Sequence, residues 1–178
     1  MKHSSAIQIR CLESLGDREV QGLGDVLVDC VEGGASVGFM LPITRAKADV
    51  YWRETAASMA RGERVLLVAE NAARTIVGAV QLIWAQPENQ PHRGEIAKML
   101  VHRKARRQGI GAALLNTAEQ RALGAGKTLL VLDTASGDAE RLYARQGWQR
   151  VGVIPDYALW PRGGFCSTTM FFKSLRRV

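Results

Sequence analysis

The sequence predicts an α/β fold on a mixed sheet, and three observations carry that prediction. Short apolar runs alternate with stretches of helical spacing along the chain. One run, Thr128 to Leu132, is apolar without a break, the pattern of a strand buried on both faces. Between it and the preceding run, Ile96 to Val101, lies a glycine-cornered turn, Arg106-Arg107-Gln108-Gly109-Ile110-Gly111-Ala112, opening an Ala/Leu-rich helix.

Ile7 to Leu12 alternates and reads as the first strand. Asp17 to Val31 carries helical spacing up to Gly33-Gly34, and Ala35 to Pro42 is a loop. Thr44 is placed to cap a second helix, Arg45 to Ala60, stopped by Gly62. Arg64–Glu70 and Thr75–Ala85 flank the turn Asn71-Ala72-Ala73-Arg74, which makes them a hairpin. Glu95–Val101 is the strand that delivers the glycine turn. The helix beyond it puts Gly111, Leu114, Leu115, Ala118 and Ala122 on one face, with Asn116, Glu119 and Gln120 opposite. Asp138–Gln146 is a short helix ended by Gly147. Trp148–Ile154 and Phe165–Lys173 are the last strands, joined by a loop holding Pro155, Tyr157, Trp160 and Pro161. The order is β-α-α-β-β-β-α-β-α-β-β, and a length of 178 residues suits a single domain.

The formal net charge of +7 favours anionic partners, and much of the excess sits in His102–Arg107 and Lys173–Arg177. A local cluster beside a phosphate-type turn points to a small anion; nucleic acid would want a longer basic stripe. Cys11, Cys30 and Cys166 have no metal-ligand spacing and read as reduced thiols. His92 and His102 read as solvated strand ends, so no metal is expected. The apolar runs are too short to cross a bilayer and no apolar signal segment opens the chain, which makes a cytoplasmic protein the expectation.

Two glycines one residue apart let the backbone turn tightly and bring its N–H groups close to a ligand. The helix start adds unpaired donors and the positive end of its dipole, and two arginines add charge. Such a site suits a phosphate or pyrophosphate. No Gly-x-x-x-x-Gly-Lys-Ser/Thr run exists, so it is not a Walker-type loop. A dinucleotide turn is the second reading, with Asp133 as its ribose-binding acid. Against it, Leu114 stands where a third glycine belongs, and His102 to Gln108 separate strand from glycine.

Two blocks then carry a family resemblance. Arg106-x-x-Gly109-x-Gly111 is similar to the Arg/Gln-x-x-Gly-x-Gly/Ala signature of the GCN5-related N-acetyltransferases, and Ala139-x-x-x-Tyr143-x-x-x-Gly147-Trp148 resembles that family's second block. The resemblance covers about residues 6–174. It implies a mixed, mostly antiparallel sheet of six or seven strands flanked by about four helices. Gly33-Gly34-Ala35-Ser36-Val37-Gly38-Phe39-Met40, Leu132-Asp133-Thr134 and Arg150-Val151-Gly152 with Pro155 and Tyr157 further resemble the tabtoxin-resistance branch, whose acceptor is a β-lactam-containing amino acid. Two positions depart from the family pattern: Arg103 stands where many relatives have proline, and Ser136 where many have a pantetheine-binding asparagine.

The resemblance implies acetyl transfer from acetyl-CoA to an amine, with a hydroxyl as the alternative, directly and through a tetrahedral intermediate. An alkylamine, with a reference pKa of about 10.4, must lose a proton before it attacks. The developing oxyanion needs preplaced donors and the departing thiolate a proton. By resemblance, Arg106, Arg107, Gln108, Gly109, Ile110, Gly111 and Ala112 bind the pyrophosphate. Met99, Leu100 and Val101 offer strand edges to the pantetheine, and Thr134, Ser136, Ala139 and Tyr143 complete the cofactor groove. Tyr143 is the candidate general acid. Asp133 and Glu95 are both candidate bases, acting directly or through water, and the tabtoxin-resistance pattern favours Asp133. Gly33–Met40, Trp52, Trp84 and Tyr157–Trp160 are candidate acceptor walls. The expected acceptor is a small amino-acid-like or toxin-like molecule; the alternatives are a protein N-terminus or lysine, or a noncatalytic CoA-binding module. The apolar Met170-Phe171-Phe172 serves either the core or a homodimer.

Overall fold

The computed structural model describes residues 7–176. Seven strands form one sheet: β1 (Gln8–Leu12), β2 (Arg64–Glu70), β3 (Ile76–Trp84), β4 (Arg93–Val101), β5 (Leu129–Thr134), β6 (Gln149–Leu159) and β7 (Phe165–Ser174), in the spatial order β1-β2-β3-β4-β5-β7-β6. The helices are α1 (Asp17–Glu32), α2 (Arg45–Ala60), α3 (Ile110–Gly124) and α4 (Gly137–Arg145). As predicted, Thr44 caps α2, its side chain accepting from the Lys47 N–H at 3.2 Å.

Strand alternation divides the core into two layers. Leu66, Val68, Ala79 and Leu100 pack under α1 and α2 with Leu23, Leu27 and Trp52. Leu67, Val80, Leu82, Ile96, Leu130 and Leu132 pack on the opposite face with Leu114, Leu115 and Ala118 of α3. Ile96 and Leu100 are four apart, so strict alternation would put them on one face. They face opposite layers because β4 bulges: Ala97 pairs with Gln81 and Leu100 with Ala79, leaving Lys98 and Met99 against Val80 alone. Lys98 takes up the irregularity with φ +49.

All neighbouring strands pair antiparallel except β4 and β5, which run parallel only from Arg93–Leu129 to Glu95–Val131. Beyond Glu95 the two strands lose their pairing and a gap opens between them, with the Ile96–Val101 edge of β4 unpaired on that side. The sheet is otherwise continuous, so among the described residues this gap is the break in its middle.

Several expectations need correction. The Thr128–Leu132 run is not buried on both faces: Leu130 and Leu132 are in the core, but Leu129 and Val131 are half-buried, because α1 and α2 cover β2 to β4 and stop short of β5. Glu119 does not lie on the solvent face of α3. It is 7% exposed, accepts from the Trp148 indole at 2.8 Å and pairs with Lys173 at 2.6 Å. Pro155 and Tyr157 are not in a loop but within β6, which bulges between Ile154 and Ala158 with Asp156 at φ +51. Edge position makes a proline tolerable there. In the last strand, Phe171 packs in the core and Met170 and Phe172 are half-buried.

Candidate active site

The glycine turn follows β4 through a short 3-10 turn, Arg103–Ala105. Arg103, the departure from proline, anchors it: its backbone N–H and Nε donate to the two oxygens of Asp29 in α1 at 2.7 and 2.9 Å. Burial works to raise the Asp29 carboxyl, but these bonds and the charges of His102 and Arg103 hold it below the ordinary aspartate value. Arg106 Nε donates to the Val101 carbonyl at 3.1 Å, so that carbonyl is engaged while Met99 keeps its free strand edge. Arg107 has φ +64 and Gly109 φ +78 at the helix N-cap. The first helical bond of α3 runs from Ala113 N to Gly109 O, leaving the Ile110, Gly111 and Ala112 amides for an outside acceptor. A Cβ on Gly109 would meet nothing within 4 Å, so the N-cap of α3 is open to solvent on that side. Arg107, Gln108 and Gly109 are exposed. Leu100 differs: its side chain is buried under α1 and α2, and only its backbone is available to a ligand.

On the other side of the gap, α4 begins at Ser136, whose hydroxyl accepts from the Ala139 N–H at 3.4 Å, while Thr134 Oγ1 accepts from the Ser136 N–H at 3.2 Å. Ser136 is therefore a helix cap first, and its lone O–H donor is what remains for a cofactor. Ala139 packs against the core. Tyr143 is 3% exposed, with ring centroids 5.9 Å from Trp148 and 5.8 Å from Phe171. Burial, with the Asp133 charge adding to it, pushes its phenol well above the ordinary tyrosine value. Tyr143 thus holds its proton at neutral pH.

The two candidate bases separate. Glu95 is exposed and stands at the vertex of the gap, in the last parallel pair with Val131. Asp133 is exposed as well; it lies two residues beyond the last parallel pair, on the face of β5 opposite Leu132, and Thr168 Oγ1 of β7 donates to its Oδ2 at 2.7 Å. The Asp133 charge is felt at both Tyr143 and Lys98.

Two of the four candidate walls come together and two do not. The Gly33–Met40 loop meets the tip of the β6–β7 hairpin: Ser36 Oγ donates to Leu159 O at 3.1 Å, and Leu41 N to Pro161 O at 2.9 Å. Tyr157 and Trp160 are exposed on that hairpin. Trp52 is fully buried and belongs to the core. Trp84 pairs with Gly94 at the closed end of β4, under Lys127, and is not a wall.

Sequence reading missed Lys98, Thr168 and a polar row on β2 and β3. Arg64 donates to Gln81 Oε1 at 2.7 Å and to Ser58, and Gln81 Nε2 donates to the Tyr51 hydroxyl at 2.8 Å. Their signals were present: Gln81 breaks the apolar run of β3, and Lys98 breaks that of β4. Among the described residues no group of three or more His, Cys, Asp or Glu side chains is arranged to hold a metal, and the three cysteines are free. No helix among those residues is long and apolar enough to cross a membrane.

An acetyltransferase (GNAT) family model matches residues 39–148, more than half of the chain and inclusive of the bulge, the gap and the glycine turn. The chain belongs to the GNAT family. It is accordingly an acyltransferase by family. Solved GNAT-fold structures share its architecture. A Salmonella typhimurium protein solved with its cofactor acetyl-CoA is 18% identical over 97% of this chain and 96% of its own, with a TM-score of 0.76. An N-acetyltransferase from Staphylococcus aureus Mu50 is 19% identical over 97% and 100%, with a TM-score of 0.79. A GNAT-superfamily phosphinothricin acetyltransferase from Sinorhizobium meliloti, in complex with acetyl-CoA, is 16% identical over 95% and 88%, with a TM-score of 0.77.

Proposed function

We propose that this GNAT protein is an acetyl-CoA-dependent N-acetyltransferase of a small, amino-acid-like acceptor, of the kind represented by phosphinothricin or the tabtoxin lactam. The observation that carries the reading is the place of Asp133: beside the β4–β5 gap, held by Thr168, with its charge reaching the buried phenol of Tyr143. A carboxylate beside the gap whose charge reaches a protonated phenol suits a reaction that needs both a proton acceptor and a proton donor.

Acetyl-CoA supplies an activated acetyl thioester. The Ile110, Gly111 and Ala112 amides, with Arg106 and Arg107, suit its pyrophosphate, and the unpaired β4 edge suits the amide groups of its arm. Asp133 takes a proton from the acceptor ammonium, so that the amine carries a lone pair. Tyr143 gives its phenolic proton to the sulfur as the carbon–sulfur bond breaks, and takes back the second proton that the amine sheds on forming its bond to the acetyl carbon. The two steps are coupled: part of what holds the Tyr143 proton is the negative charge of Asp133, and that charge is cancelled once Asp133 has taken the amine's proton. Glu95 remains an exposed carboxylate at the vertex, without the link to Tyr143.

The test follows thiol release from acetyl-CoA across amino acids, phosphinothricin, tabtoxinine-like lactams and polyamines. Tyr143→Phe is expected to lower kcat more than it raises the KM for acetyl-CoA. Asp133→Asn is expected to remove the acidic limb of the pH–rate profile, with Glu95→Gln leaving it in place. Folded protein that gives no heat with acetyl-CoA defeats the reading.

A further inference from the structure

Lys98 is an unusual residue to find in the middle of this sheet. It occupies the β4 bulge, in the left-handed region at φ +49. That turn of the backbone directs its side chain to the α1–α2 side, where Nζ lies 5.7 Å from the Tyr51 ring centroid. Gly38 of the Gly33–Met40 loop closes over it: a Cβ there would lie 3.7 Å from Nζ. Lys98 is half-buried, yet among the described residues it has no carboxylate within 4.0 Å and no hydrogen bond to its ammonium.

The polar groups around it are otherwise spoken for. Arg64, Gln81 and Tyr51 satisfy one another in a row, and Thr168 occupies one oxygen of Asp133. What is left without a hydrogen bond or carboxylate partner is one ammonium, Lys98 at the β4 bulge; the charges of Asp133, two residues past the last parallel pair on β5, and of Glu95, three residues earlier on β4, reach it without pairing with it. Burial pulls the Lys98 ammonium below the ordinary lysine value, with the Arg64 charge acting in the same direction and the charges of Asp133 and, more weakly, Glu95 opposing it. Its one close partner among the described residues is the Tyr51 ring, which compensates a half-buried charge only in part, and an incoming anion would relieve the rest.

We propose that Lys98 binds the carboxylate of the acceptor, so that the acceptor is an α-amino acid or an equivalent zwitterion whose ammonium is held toward Asp133. The inference rests on the N-acetyltransferase reading and narrows it. The separated charges of the opening match the two ends of a zwitterion: Lys98 on β4 takes the anion and Asp133 on β5 the cation. Polyamines and other purely cationic acceptors put a second positive charge against Lys98 and are rejected. A site that reserves a buried charge for one substrate group discriminates strongly against analogues that lack it.

The experiment measures thiol release from acetyl-CoA with the common L-amino acids and phosphinothricin, each beside its own carboxamide, using wild type, Lys98→Met and Lys98→Arg. Acetyl-CoA binding is measured calorimetrically in parallel. In wild type the free acids are expected to turn over and the carboxamides to lose roughly 30-fold or more in kcat/KM. Lys98→Met is expected to erase most of that preference through the KM of the acid, and Lys98→Arg to restore part of it. Equal use of acid and carboxamide by wild type overturns the inference. So does a Lys98→Met loss confined to kcat and identical for both members of a pair, which would mark a role in the transfer step instead. Turnover of polyamines alone, or of no acid at all while acetyl-CoA binds, overturns it and leaves the cofactor site standing. Failure to bind acetyl-CoA defeats the reading beneath it.

Discussion

Thr168 on β7 reaches across the sheet to Asp133 on β5, its hydroxyl donating to Oδ2 at 2.7 Å. Asp133 pairs in register with Met170, so Thr168 stands two residues along on the same face. The bond engages Oδ2 and leaves Oδ1 without a hydrogen-bond partner among the described residues. Thr168 is 3% exposed, and water is therefore a poor substitute for its hydroxyl.

Thr168→Val keeps the shape and removes this bond. A hydrogen bond to a charged group is worth about 1.5–3 kcal/mol, so kcat is expected to fall at least about tenfold. Acetyl-CoA affinity, set at the far glycine turn, is expected to be unchanged. Steady-state kinetics beside calorimetry check the split; an equal loss in both would mean that Thr168 supports the fold and not the base.

Gly109 sits at φ +78 with open space where a Cβ would be. Substitution by valine therefore meets no neighbour, and its cost to folding is the left-handed backbone alone, about 1–2 kcal/mol. A branched side chain there would stand in front of the Ile110–Ala112 amides. Gly109→Val is expected to lose acetyl-CoA binding by calorimetry while retaining a cooperative thermal transition a few degrees lower. Unchanged affinity in the folded variant would remove the phosphate role from this turn.

Local signals were legible where one residue type has one use. Thr44 before Arg45 and Gly62 after Ala60 bound α2 in the sequence as in the structure, since caps and stops act within a turn. The glycine turn was legible for the same reason. Lys98 was not: its role depends on a bulge that no single residue announces, and on a gap created by the loss of pairing between strands far apart in sequence. Pro155 reads as a break, yet β6 is an edge strand and runs through it. Glu119 borders the apolar stripe of α3, four residues after Leu115, and only the arrival of Trp148 and Lys173 from distant segments makes that position an interior one.

Glu119 gives a stability prediction. Its two oxygens hold the Trp148 indole N–H and the Lys173 ammonium, and Lys173 also donates to the Gln146 carbonyl at 2.7 Å, tying α3 to β7 and the end of α4. Removal of Glu119 leaves the Trp148 donor unsatisfied and the Lys173 cation without its counter-ion, held by the Gln146 carbonyl alone. Glu119→Ala is expected to lose about 2–3 kcal/mol in denaturant unfolding, after allowance for the partial exposure of Lys173. Because Trp148 packs on Tyr143, part of the kcat should be lost as well. A change below about 0.5 kcal/mol would show the network to be worth no more than a surface pair.

Lys98 carries the last prediction, in which stability and function run in opposite directions. The folded state lowers its pKa, chiefly through burial, so folding disfavours the charged form. The sign follows: below the folded pKa the lysine is protonated in both states and the penalty is at its full size. As pH rises through the folded value toward the unfolded one near 10.5, the native lysine sheds its proton first and the penalty fades. Lys98→Met, which removes the charge and keeps the length, is expected to raise the thermal midpoint at pH 7 relative to wild type. The gain should shrink as pH approaches 10.5, when measured as the difference between the two proteins so that other titrating groups cancel. A carboxylate ligand on Lys98 should stabilise wild type and not the variant. A residue that weakens the fold yet holds a fixed place in the gap is what a charge reserved for a ligand looks like. If Lys98→Met is instead less stable at pH 7, the lysine is held by the fold and its ammonium is not waiting for an anion.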